Sequence, residues 1–113
     1  MSLPKTYVAI VEKLIDLTMR GKVQWEAGGG ADRVVAAFKS STVEIQGPEW
    51  EGKVSILFRN AKGVLLESFE FEQDDVEWEV IHGLYSTARK QALRVEEVVK
   101  ELDAELGELE SED

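Results

Sequence analysis

The chain has no cysteine. A disulfide scaffold, a zinc–thiolate centre and a thiol nucleophile are therefore excluded. There are two prolines and a single histidine, His82. No apolar run approaches the roughly 18 residues that a membrane span requires. The N-terminus, Met1-Ser2-Leu3-Pro4-Lys5, lacks a charged region followed by a long apolar one. Together these absences predict a soluble, cytoplasmic protein.

What the chain has is charge, unevenly placed. Its 113 residues fit one domain, with 43% hydrophobic and 32% charged residues and a net charge of −10. Residues 1–63 hold nine Lys/Arg and seven Asp/Glu, whereas residues 64–113 hold four and sixteen. The second half is therefore unsuited to binding nucleic acid, because phosphate contacts need Lys and Arg.

Apolar periodicity outlines the fold. Residues 4–20 predict an amphipathic helix with Val8, Val11, Leu14, Ile15 and Thr18 on its buried face. Tyr7, Ile10, Leu17 and Met19 widen that face, and Gly21 suits the helix stop. Residues 22–26 alternate as a short strand or extended link. Gly28-Gly29-Gly30 then makes a loop, without the Gly-Lys-Ser/Thr ending of a phosphate loop. Two hairpins follow, with strands at 34–38, 42–45, 53–59 and 64–71.

Asp74 or Asp75 is a natural cap for a second helix. Its apolar series is Ile81, Leu84, Ala88, Ala92, Val95, Val99, Leu102, Leu106, Leu109, close to a heptad repeat and free of proline. Gly83 is the candidate kink. Continuous over 76–106, this helix would run roughly 45 Å. The radius of gyration expected of a compact domain this size is only about 13 Å. The helix must therefore break, or its far end must project and pack on something else. The expected fold is α+β: an N-terminal helix, a four- to five-stranded antiparallel meander sheet and a long C-terminal helix, with both helices on one face of the sheet. Residues 1–107 form one domain and residues 108–113 an acidic tail.

Several side-chain groups invite chemistry. Glu67, Glu70, Glu72, Asp74, Asp75, Glu77 and Glu79 crowd a strand–helix junction and could gather oxygens around a divalent metal, but they lack EF-hand spacing. Charge runs of this kind are usually solvated. Arg89, Lys90 and Arg94 interrupt the acidity and could form a small anion site. Arg94 can pair with Glu97, whereas Arg89 and Lys90 have no acid three or four residues away. Glu79, His82 and Ser86 share a helix face, yet three groups stacked along one helix do not surround a substrate. Trp25, Trp50 and Trp78 read as core or interface anchors.

Two stretches carry a resemblance. One is Gly21-Lys22-Val23-Gln24-Trp25-Glu26, directly after the first helix. The other is Leu84-Tyr85-Ser86-Thr87-Ala88-Arg89 with Ala92-Leu93-Arg94-Val95-Glu96-Glu97. Together they resemble a group of small uncharacterised bacterial proteins built as helix, sheet, helix. The resemblance implies a bacterial cytoplasmic protein and brings no activity with it.

The expected function is non-catalytic and needs no cofactor. The chain reads as a homodimeric interaction module, of adaptor, secretion-chaperone-like or immunity-type character, presenting an acidic C-terminal surface to a basic partner. The residues expected to carry it are Val95, Val99, Leu102 and Leu106 with Glu97, Glu101 and Glu105. The competing expectation is a small-ligand or divalent-metal binding domain that uses the sheet face and the carboxylates at the strand–helix junction.

Overall fold

The structure, a computed structural model, describes residues 3–28, 32–47 and 52–111. The first helix, α1 (Lys5–Met19), begins after Pro4, whose carbonyl accepts the Tyr7 and Val8 N–H groups at 2.9 and 3.0 Å. It buries Val11, Leu14 and Thr18, with Tyr7, Val8, Ile15 and Leu17 packed beside them. Ile10 and Met19 stay exposed, so α1 is covered on one side only. Gly21, at φ 71°, turns the chain where a side chain would be strained.

Five strands follow: β1 (Glu26–Ala27), β2 (Arg33–Ala37), β3 (Ser41–Gln46), β4 (Val54–Asn60) and β5 (Leu65–Phe71). They form one antiparallel meander in the order β1-β2-β3-β4-β5. The expected hairpins are all present, because alternation of apolar and polar residues fixes both strand and register. Val34 lies opposite Ile45, Ile45 opposite Ile56 and Ile56 opposite Phe69. These residues, with Val43, Val54, Phe58 and Phe71, make the buried face.

Two further helices complete the chain: α2 (Trp78–Ala92) and α3 (Val95–Ser111). Ile81, Leu84, Tyr85 and Ala88 of α2 pack into the core, and α1 reaches it through Tyr7, whose ring lies 5.1 Å from Phe58 and 4.9 Å from Phe69. Both helices cover the same face of the sheet, as the pattern predicts. The opposite face is mixed: Leu57 and Glu44 sit side by side at its centre, Glu44 held by Gln46 Nε2 at 3.0 Å and by Arg33 at 3.8 Å.

The long C-terminal helix is not continuous. Gly83 stays within regular helix, and the break falls at Leu93–Arg94. Arg94 has φ 53°, and its N–H bonds to the Gln91 carbonyl at 3.2 Å. This is the left-handed ending usually reserved for glycine. Arg94 then starts α3, its carbonyl accepting the Val98 N–H at 3.2 Å. α3 continues through Gly107 to Ser111, so most of the expected tail is helical. The helix cap also differs from expectation. No side chain caps α2; instead the Asp75 carboxylate accepts the Glu72 N–H at 2.7 Å in the preceding turn. That bond is the main reason its pKa falls below the usual carboxylate range.

The core contains one polar joint. The Trp25 indole N–H donates to the Thr18 hydroxyl at 3.1 Å, both residues buried, and ties the chain after α1 to the helix itself. Thr18→Val keeps the shape and leaves the indole N–H unpaired. It should lower stability by about 1–3 kcal/mol in urea unfolding. Adding Trp25→Phe should cost less than the separate effects combined, which a double-mutant cycle would detect.

Candidate functional site

Among the described residues, α3 meets α2 at the turn and makes no comparable contact with α1 or the sheet. The molecule accordingly extends over 60 × 34 × 25 Å, with a Cα radius of gyration of 16.8 Å. On α3, Val98, Val99, Leu102, Leu106 and Leu109 are 51–62% exposed. The side chain of Val95 lies outside what the structure describes. Val99 and Leu106 take one core position of a heptad and Leu102 and Leu109 the other, giving an apolar seam along the helix. Asp103 and Glu110 line one side of this seam, and Glu105 with Val98 the other. Glu97, Glu101 and Glu105 are exposed as expected, and Arg94 reaches Glu97 at 3.8 Å.

On the body, three cavities stand out among the described residues. The first, about 470 Å³, opens beside the α2–α3 turn and is lined by Trp25, Lys22, Gln91 and Arg94 among others. Its lining, with Trp25 beside polar groups, is of the kind that a small-ligand site needs. However, Trp25 already spends its indole N–H on Thr18, and Gln91 donates to the Thr18 carbonyl at 3.1 Å. The second, about 460 Å³, is a mainly apolar groove between α1 and α2, bounded by Ile15, Met19, Val80, Gly83 and Leu84.

The third cavity, about 300 Å³, runs along α2 beneath Asp32. His82, Tyr85, Ser86, Arg89, Lys90 and Leu93 recur at helical spacing and line it together. His82 is fixed by stacking on Trp78, with ring centroids 4.5 Å apart and 7° between planes. The Trp78 indole N–H is in turn anchored to the Gly52 carbonyl at 2.6 Å. Tyr85 is buried against the backbone of Gly47, where an added Cβ would lie 2.0 Å from its ring. Burial pushes the Tyr85 phenol pKa up, so it remains a neutral hydroxyl at pH 7.

The expected groupings are partly rearranged. His82 and Ser86 share the third cavity, but Glu79 lines the apolar groove instead, so the three do not face one space. Arg89 and Lys90 do come together, without Arg94, which lies at the first cavity. Asp75 is engaged in its turn, and no group of three His, Cys, Asp or Glu side chains among the described residues could hold a metal ion. Trp25 and Trp78 are the anchors that the sequence suggests, while Trp50 lies outside the described residues. The contributions of Tyr85 and Asp32 to a common cavity were not foreseen. Only a tertiary contact, between α2 and the chain before β2, creates it. No helix among the described residues is long and apolar enough to cross a membrane. Comparison with protein families, with curated proteins and with solved structures finds no match.

Two glycines give opposite predictions. Gly47→Ala drives a methyl into the Tyr85 ring and should destabilise by about 1–3 kcal/mol. Gly83→Ala meets nothing within 4 Å and should stabilise α2 by about 0.5–1 kcal/mol. Urea midpoints at constant slope would check both.

Proposed function

We propose that the protein is a non-catalytic interaction module whose contact element is α3. The observation that carries this is the open seam: Val99, Leu102, Leu106 and Leu109 stand at least half exposed on a helix that no other described element covers. An isolated helix of this length is only marginally stable in water, and proteins normally stabilise one by burying its apolar face. A partner that buries the seam therefore also stabilises the helix.

Charge selects the kind of partner. α3 spans seven acidic residues and one lysine, and acids border its seam on both sides. A groove that is apolar at its floor and basic at its rims complements that pattern. The second reading is a homodimer through α3. A β-branched Val99 at one core position with Leu102 and Leu109 at the other favours two-stranded pairing. Against it, either orientation of two α3 helices brings carboxylates together along the seam.

A test uses two synthetic helical peptides with the same Val and Leu core positions, one flanked by lysines and the other by glutamates. The lysine peptide should bind at least tenfold more tightly, and binding should weaken as salt rises. L102D/L106D should abolish it while leaving the circular dichroism of the body intact. Failure of the full chain to bind either peptide would overturn the proposal. A two-chain mass by light scattering in low salt would instead favour the homodimer.

A further inference from the structure

We propose that the third cavity is a binding site for a phosphoryl anion, free phosphate or a small phosphate monoester. It belongs to α2 and the residue preceding β2, and does not depend on the reading of α3.

Five side chains that can donate hydrogen bonds line this one cleft: His82, Tyr85, Ser86, Arg89 and Lys90. Among the described residues, none of the five makes a side-chain hydrogen bond or an ion pair. No buried side-chain N or O atom among the described residues lacks a partner. Arg89 and Lys90 lie in the last turn of α2, where cations suit the helix dipole, and no carboxylate among the described residues pairs with them.

The donor set fits a phosphoryl group better than a carboxylate. Arg89 offers a planar fork and Lys90 a point charge, the pair of donor types suited to phosphate oxygens. Ser86 and His82 continue the donor row along the helix, giving a third oxygen its own partner. Two walls of the cleft are fixed before any ligand arrives: His82 is stacked on Trp78, and Tyr85 is seated on Gly47. Such preorganisation reduces the ordering cost of binding. A volume of about 300 Å³ accommodates a phosphoryl group with a small organic portion. Asp32 is the one acidic residue in the lining, and its carboxylate opposes an anion. It would serve as an acceptor for a hydroxyl or amine on the rest of the ligand.

The single histidine gives a clean reporter. The imidazole C–H signals of His82 in the proton NMR spectrum of the full-length protein are followed at fixed pH and ionic strength. Inorganic phosphate, phosphoethanolamine and acetate are titrated separately. Either phosphate compound should produce a saturable shift, weakened at least tenfold in R89Q/K90Q and unchanged in K100Q. Tighter binding of phosphoethanolamine identifies a monoester as the ligand type, and tighter binding of inorganic phosphate identifies the free anion. Circular dichroism of R89Q/K90Q verifies its fold, and the single variants R89Q and K90Q, each weakened several-fold, serve if the double variant is unstable. The proposal is overturned if no saturable shift occurs up to tens of millimolar. Equal affinity for acetate, or equal weakening in K100Q, would overturn it as well.

Discussion

A single residue in the left-handed region, Arg94, divides this molecule. Its φ of 53° ends α2 and redirects the chain, so that α3 leaves the body. A non-glycine residue in this conformation costs on the order of 1–2 kcal/mol. The turn recovers part of that through the bonds from Leu93 N–H to Arg89 and from Arg94 N–H to Gln91. Without the break, a straight helix would carry the same seam away from the sheet along a different line. With it, the apolar series changes its role at one point. Ile81, Leu84 and Ala88 are buried, whereas Val99, Leu102 and Leu106 stand open.

The body does not need α3 to be complete. Phe71, Ile45, Ile56 and Ile81 are fully buried among β3, β4, β5 and α2, and the Thr18–Trp25 hydrogen bond closes the end beneath α1. Fully burying each large apolar side chain contributes about 1.5–3 kcal/mol. Electrostatics follows the same division. Cations gather on α2 beside a cleft, and acids on α3 beside a seam. The two surfaces therefore carry charge of opposite sign.

Much of the fold was readable from residue order. Period-two alternation located β2 to β5, and a one-residue slip in their pairing would turn Ile45 and Ile56 to the open face. Helical spacing located α1 and its core residues, and Gly21 ended it as expected. The break at Arg94 was not readable. No glycine or proline marks it, and Ala92-Leu93-Arg94-Val95 is ordinary helical sequence, while the obvious suspect, Gly83, stays inside continuous helix. The exposed seam was legible as a heptad, and Arg89 and Lys90 as cations without helix partners. That Tyr85 and Asp32 join them was not, since it depends on how α2 lies across the sheet and how Gly47 admits the Tyr85 ring.

The central claim is that α3 is a helix its own chain leaves uncovered. Native-state hydrogen exchange on the full-length protein, at a dilution where light scattering gives a single-chain mass, tests this directly. The β4 amides, in the middle of the sheet, should exchange only through global unfolding. Those of α3 from Val99 to Leu109 should exchange orders of magnitude faster, near the rates of an unprotected peptide. Protection of α3 equal to that of β4 in the single chain would contradict the account, because it would mean that the seam is already buried.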